Sequence, residues 1–404
     1  MLIHDPLANS LPAARTEMYR LLKAGPPVYW STTHASWIVT RYSDVSTILR
    51  HPNALALKFA PFLEELRRRT TVDLSALHAF SASLSLAMRP PRHDEIRRLL
   101  AQVIGNFRQT ELPRQLSSRV ETLLREGAEK GTIDLAKGYG RAIALFAIGT
   151  ILGMPQADLD SLADEGGELI GIFDRMYPSM TRMKVLNRSA AHLLAYFEYL
   201  ISQRKTSLGE DGLSQMIRLA DGGFCTDREL AGFCSFFFIS AEATTAIAIA
   251  SAVYVLLQDP ELASRLRRTP ALLPQFSREI LRLYSPVQYV AREAGQDFCI
   301  DGQSIPAGKG ILLLLGAANR DPAVFPEPDM LNLDRAGPEP LAFAAGPYRC
   351  IGAQLATFEI ELALQKFLQW PGLRLSGEPP EWDERPNISG FRRLVAHFDE
   401  RGHS

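Results

Sequence analysis

Apolar positions along this chain recur mainly at helical spacing. Between Asp94 and Leu283, intervals of three and four residues predict helices over Asp94–Ile104, Leu112–Glu129, Leu135–Leu152, Ser189–Gln203, Asp227–Leu257 and Pro274–Leu283. Short strand-like runs flank them. Val28–Trp30 and Ser36–Thr40 come first, followed by a helix around Ser43–Leu49; Val287–Arg292, Phe298–Ile300 and Gly310–Leu315 come later. A proline-rich stretch over Asn319–Arg335 has no periodicity, and from Ala353 the residues Leu355, Phe358, Leu362 and Phe367 return to helical spacing. The tail, Leu373–Phe398, reads as strands and turns. No linker, low-complexity run or internal repeat interrupts the sequence. The pattern predicts one mainly α domain over residues 1–404 with a smaller β-rich lobe, an α+β arrangement. The β-rich lobe draws on about 25–60, 287–316 and 373–400, and the helical lobe on about 90–285 and 353–370.

One segment tests this reading. From Leu230 to Leu257 the only charged residue is Glu242, a run long enough to cross a bilayer. Ser235, Ser240, Thr244, Thr245 and Ser251 interrupt it, and 22% of the whole chain is charged. An all-round apolar helix is also what the centre of a large helical protein requires, so the expectation is a core helix and no membrane anchor. The net charge of −1 leaves no electrostatic footprint for nucleic acid. Cys225, Cys234, Cys299 and Cys350 are widely spaced, which predicts neither a zinc site nor a disulfide framework and fits a reducing compartment. The Met1–Pro6 segment lacks the pattern of a signal peptide, so a cytoplasmic location is expected.

The candidate chemistry centres on Cys350, in the string Phe343-Ala-Ala-Gly346-Pro347-Tyr348-Arg349-Cys350-Ile-Gly352. Gly346 and Pro347 turn the chain under a lone cysteine, and Gly352 lets a flat group approach the backbone. A cysteine just ahead of a helix faces unpaired amide donors and the positive end of the helix dipole, which favour the thiolate. A thiolate is what a metal or an electrophile needs.

The Phe-x-x-Gly-x-x-x-Cys-x-Gly string resembles the haem-binding loop of the cytochrome P450 family, in which the cysteine thiolate is the axial iron ligand. Other strings fit the same family in the right order. Ile239-Ser-Ala-Glu-Ala-Thr-Thr245 is similar to its oxygen-activating helix, and Glu279-Ile-Leu-Arg282 to its E-x-x-R pair. Asn319-Arg320-Asp-Pro322 and Phe325-Pro-Glu-Pro328 are similar to its meander, with Arg335 a third partner. Pro90-Pro91-Arg-His93-Asp-Glu-Ile-Arg97 and Arg292 match its propionate ligands. The resemblance implies haem b on Cys350, contacted by His93, Arg97, Arg292, Phe343, Gly346 and Gly352, with Tyr348 and Arg349 as further contacts. It places Thr244 over the iron as the catalytic threonine. It also implies external electron donors, a ferredoxin and its reductase, and a monomeric enzyme. The substrate pocket is expected at Phe236, Phe237, Ser240, Val287, Gln288, Tyr289, Val290 and Ile388, closed over by parts of Leu55–Met88 and Leu169–Leu186.

The chain also departs from the family. Tyr348 stands where a His or Arg is usual, and Ala344 replaces a frequent glycine, a change expected to be minor. The family's acid position is Ala243, with a carboxylate one residue earlier at Glu242. At about 100° per residue, Glu242 lies roughly 200° around the helix from Thr244. Either the helix bulges and brings Glu242 into the proton path, or the acid is absent and substrate or water supplies protons. The expected activity is monooxygenation of a mid-sized, mostly apolar molecule in secondary or catabolic metabolism. Oxidative coupling, peroxide-driven oxidation and a non-catalytic haem-binding or sensing role are the alternatives.

Overall fold

The computed structural model describes residues 12–57, 60–105, 107–174, 179–220, 223–370, 372–383 and 385–399. The Met1–Pro6 reading, and residues 58–59 and 175–178 of the two segments expected to cover the pocket, lie outside the described residues. The chain is mainly helical with a smaller strand-rich part, and it forms two compact units. One comprises the chain up to Leu55, Leu116–Ala144 and the part from Thr244 onward; the other comprises Ala56–Gln115 and Leu145–Ala243.

The first unit is organised around a five-stranded sheet, ordered Val28–Ser31, Ser36–Val39, Gly310–Leu314, Tyr289–Ala294 and Ala54–Ala56. Gly310–Leu314 is central, runs parallel to Ser36–Val39 and antiparallel to Tyr289–Ala294. Covered on both faces, it is a continuous apolar run rather than an alternating one. Leu312 and Leu314 pack with Met18, Tyr19 and Leu22 of the helix Pro12–Ala24. Ile311 and Leu313 turn the other way, into a core with Val45, Ile48 and Leu49 of the helix Tyr42–Arg50 and with Phe325 and Leu341.

The second unit is helical. It comprises Arg92–Gly105, Leu159–Leu169, Met180–Thr206, Gly212–Ala220 and the first half of the long helix Asp227–Gln258, among other helices. Gly232 explains one close crossing: a Cβ there would sit 2.2 Å from Ser83 Oγ. Most of the apolar stretch of Asp227–Gln258 (78%) is buried within the protein, as a core helix requires.

The expected helix Leu135–Leu152 divides in two. Leu135–Arg141 is a π-helical turn and only Ala142–Leu152 is α. Asp134 starts the wide turn by accepting from the Ala136 and Lys137 amides. Gly140 then lies against the core helix, where a Cβ would fall 2.6 Å from the Ala246 carbonyl oxygen.

The irregular stretch expected at Asn319–Arg335 is held by side chains instead of a backbone ladder. Arg282 and Glu279, one turn apart on the helix Leu273–Leu283, form a bidentate pair at 2.7 and 2.9 Å, both buried. The remaining Arg282 donors reach the carbonyls of Asn319 (3.1 Å), Pro328 (2.6 Å) and Met330 (2.8 Å). Arg335 lies 3.2 Å from the Glu279 carboxylate and donates to the Pro326 and Met330 carbonyls. The Asn332 amide also donates to Glu279. Five-donor, planar guanidinium groups suit this task, because a loop without secondary structure leaves carbonyls pointing in several directions. Asn319 extends the brace toward the cysteine loop by accepting from the Leu341 amide at 2.6 Å.

Burial pushes the Glu279 pKa up, but the Arg282 hydrogen bonds, the Asn332 amide and the charges of Arg282 and Arg335 outweigh it. The net shift is downward from 4.5. A depressed carboxyl stabilises the fold fully above its unfolded pKa and loses that contribution as pH falls through the folded value. Glu279→Gln is therefore expected to destabilise the chain by about 3–5 kcal/mol at neutral pH, the usual result of stranding a buried charge. In denaturation series below pH 4.5 the gap to wild type should narrow. A constant gap would show that the Glu279 charge contributes nothing.

Candidate active site

Cys350 sits at the mouth of a short, strained loop. The turn Gly346–Tyr348 precedes it, and Gly352 caps the helix Ala353–Phe367 that follows. The Cys350 amide donates to the Phe343 carbonyl (2.8 Å) and the Arg349 amide to that of Gly346 (3.1 Å), so the loop closes on itself. Gly346 has φ +69°, and a Cβ there would fall 2.2 Å from the Leu49 carbonyl oxygen, so only glycine lets the loop rest on the Tyr42–Arg50 helix. The Cys350 side chain is exposed, as is Arg349. Nothing lies within 4 Å of a Cβ built on Gly352, which leaves that side of the loop open to a flat group. Cys350 lies two residues before the cap, close to the amide-rich end of the helix, where a thiolate is favoured.

Beside the loop, Tyr348 is buried and its ring lies under the Arg292 guanidinium, 4.8 Å from the ring centroid. Arg292 is 4% exposed. Its Nη1 donates to the Ala291 carbonyl, while its Nε has no hydrogen-bond partner among the described residues. Burial lowers its pKa to about 10, so the group still carries its charge at neutral pH. Tyr348 stacks with this cation instead of adding a second one.

Strand alternation separates the expected pocket residues. Val290 and Val287 pack on the sheet face that holds Ala294 and Leu313, whereas Tyr289 belongs to the opposite cluster with Met18, Tyr19 and Leu22. Gln288 accepts from Tyr19 Oη (2.5 Å) and donates to the Ser285 carbonyl. Tyr289 and Val290, adjacent in the strand, thus point to opposite faces, and Gln288, just ahead of the strand, is held by its bonds to Tyr19 and Ser285. Ile388 forms a bridge to Val287, fixed by the Ser389 amide on the Pro286 carbonyl.

The core helix is α-helical throughout Asp227–Gln258, with no bulge at Glu242. Glu242 is buried, whereas Ser240, Ala243 and Thr244 are only partly covered. Regular geometry thus keeps Glu242 on a different side from Thr244. In the helical unit, Phe236 and Phe237 are buried, and the Phe236 ring lies 6.1 Å from that of Phe173. His93, buried, and Arg97, half-buried, stand four residues apart on one face of Arg92–Gly105, with His93 Nδ1 2.7 Å from Asp94.

The cytochrome P450 family model matches residues 271–389, the stretch from the Glu279 helix through the cysteine loop to Ser389. The biotin biosynthesis cytochrome P450 of Bacillus subtilis is 30% identical over 381 residues, 93% of each chain. Nocardicin C N-oxygenase of Nocardia uniformis is 33% identical over 350 residues, 85% of this chain and 84% of its own. The chain belongs to the cytochrome P450 family. Among solved P450 structures, CalO2 superposes with a TM-score of 0.89 at 26% identity, covering 99% of both chains. P450BioI, solved with an acyl carrier protein ligated to hexadec-9Z-enoic acid, gives 0.86 at 28% identity over 95% of this chain and 98% of its own. P450 enzymes are oxidoreductases that bind haem through a cysteine thiolate, act as monooxygenases on small molecules and draw electrons from redox partners.

The residues of this P450 fit that cofactor. A buried guanidinium with an unused donor suits a carboxylate on the edge of the ring, and an exposed cysteine on an open loop suits an axial ligand. Sequence reasoning undervalued Ala344. Its φ is +53° with ψ −162°, a region that is essentially glycine's own. The frequent glycine of the family was the available signal. Ala344→Gly is expected to raise stability by about 1 kcal/mol, read as a higher denaturation midpoint with unchanged slope. A lower midpoint would show that the methyl group packs favourably enough to outweigh the strain.

Proposed function

We propose that this P450 inserts oxygen from dioxygen into a mid-sized, mainly apolar organic molecule, with haem b held by Cys350. The observation that carries the assignment is the buried, charged Arg292 with an unused Nε beside the cysteine loop. Arg292 and, from the family pattern, His93 and Arg97 would bind the haem propionates. When bound, haem would supply the dioxygen-activating chemistry. Phe343, Gly346 and Gly352 shape the loop, and Tyr348 orients Arg292. Arg349, exposed next to Cys350, offers a cationic contact for an electron-donating protein, a ferredoxin served by its reductase.

Val287, Val290 and Ile388, together with Phe236 and Phe237, are the proposed apolar contacts of the substrate, with Ser240 as a polar handle. Gln288 and Tyr289 drop out of that set. Thr244 is the proposed hydroxyl that holds protons for oxygen activation. The named reactions of the relatives differ, so they support the chemistry rather than one substrate, and a role in secondary or catabolic metabolism is our reading. The enzyme is proposed to work as a single-domain, cytoplasmic monomer.

The unbulged core helix favours a second reading. With Ala243 at the acid position and Glu242 directed elsewhere, substrate groups or water must deliver protons, a situation suited to oxidative coupling. Turnover under ¹⁸O₂ with a surrogate ferredoxin and reductase separates the two. One labelled oxygen atom in the product supports monooxygenation, and an unlabelled coupled product supports the second reading. No donor-dependent product from a panel of mid-sized apolar substrates would contradict both. Glu242→Gln should keep turnover within about threefold, less than the tenfold that one significant interaction is worth. Ala243→Asp should change turnover. Loss of turnover in Glu242→Gln with none in Ala243→Asp would return Glu242 to the proton path.

A further inference from the structure

The turn ahead of Cys350 is pinned from outside itself. Leu341–Phe343 is a single 3-10 turn, and Pro340, which precedes it, supplies no side-chain cap. The first amide of such a turn has no partner within it. Here the Leu341 amide donates to Asn319 Oδ1 at 2.6 Å, and both residues are buried. The other end of the turn runs into Ala344, held at φ +53°. A strained residue of that kind persists only where its surroundings fix it. Beyond it, the Cys350 amide donates back to the Phe343 carbonyl, so the position of the turn is passed directly to the cysteine.

Asn319 suits this task because its amide is held in one orientation. The residue is wholly buried, and each of its polar atoms is engaged. Its backbone N–H donates to the Leu315 carbonyl (2.9 Å) and its own carbonyl accepts from Arg282. Its Nδ2 donates to Ser285 Oγ at 2.8 Å, opposite the bond that Oδ1 accepts from Leu341. An amide side chain could present either its oxygen or its nitrogen to a neighbour. Ser285, itself buried, makes the choice. Its hydroxyl donates to the Leu281 carbonyl (2.7 Å), in the last turn of Leu273–Leu283 where the helix supplies no partner. The Ser285 oxygen is thereby left as an acceptor, which draws Nδ2 toward it and turns the Asn319 oxygen toward Leu341. A reversed amide would set Nδ2 against the Leu341 N–H, donor against donor.

We propose that Asn319 is a positioning residue for the thiolate: oriented by Ser285, it holds the turn Leu341–Phe343 and, through it, Cys350 in the geometry that ligates iron. This rests on the reading that Cys350 binds the haem. The whole chain of contacts lies within the sheet-containing unit, and it meets the Glu279–Arg282 pair only at the Asn319 carbonyl. Loss of the Asn319 oxygen would leave the Leu341 amide buried without its acceptor, a cost the turn escapes by moving away. The strain at Ala344 favours that movement, and Cys350 is carried with it.

The reduced carbon-monoxide spectrum of the haem-loaded enzyme, followed through a urea series below the unfolding transition, tests the proposal. The readout is the ratio of carbonyl complex with the red-shifted Soret band to complex without it. Asn319→Leu is expected to lower that ratio about tenfold or more, the weight of one buried donor left unmet. Ser285→Ala should lower it less, because the amide still visits the working orientation. Asn319→Asp keeps an acceptor for Leu341 and should stay within about threefold of wild type. Tyr196→Phe, which removes a hydrogen bond to Asp158 in the helical unit, is the control: its unfolding midpoint should fall and its ratio should not. A wild-type ratio in Asn319→Leu overturns the proposal, and so does one in Ser285→Ala should the leucine variant not fold. Asn319→Asp impaired as much as Asn319→Leu, or an equal fall in Tyr196→Phe, overturns it too. Absence of the red-shifted band from the wild type would overturn the Cys350 assignment itself, a failure distinct from these.

Discussion

A carboxylate buried between two guanidinium groups holds the part of this enzyme that has no secondary structure to hold it. Glu279 alone would be costly to bury, and Arg282 alone equally so. Together with Arg335 they present enough directed donors to gather the carbonyls of Asn319, Pro326, Pro328 and Met330 into one arrangement. Each charge-assisted bond is worth about 1.5–3 kcal/mol when its partner would otherwise be buried and unmet. The cysteine loop follows directly, and Asn319 ties its approach by accepting from Leu341. A rigid brace under a short loop is how a thiolate can be presented in a fixed orientation without being built into a helix or strand.

The loop itself stores strain. Gly346 and Ala344 both have positive φ, and Gly346 rests directly on the Leu49 carbonyl. Alanine at 344 gives up conformational freedom the family normally keeps, while the buried stack of Tyr348 on Arg292 replaces a cation usual at that position. Both departures fall on the cysteine's own loop. The core helix departs differently: its backbone is regular, and the change lies in which positions carry the acid.

Much of this was legible in the sequence where one physical rule dominates. The helix Leu112–Lys130 lies within a residue of its apolar pattern because one face is buried along its whole length. The Glu279–Arg282–Arg335 brace and the cysteine loop were legible because their chemistry needs particular residues at particular spacing. The π-helical turn at Leu135–Arg141 was not, because apolar spacing does not distinguish a wide turn from an α turn; only Asp134 and the two glycines, Gly138 and Gly140, hint at it. Nor was the face on which Tyr289 packs. The strand Tyr289–Ala294 is covered on both faces, so polarity gives no sign of which way each residue points.

The role of Cys350 is the claim on which the rest of the chemistry depends. The most direct measurement is the absorption spectrum of the purified enzyme, reduced under carbon monoxide, for wild type and Cys350→Ala. Wild type should show the red-shifted Soret band of a thiolate-ligated ferrous carbonyl, and the variant should lack it. A variant spectrum identical to wild type, or a wild-type protein that binds no haem, would contradict the account.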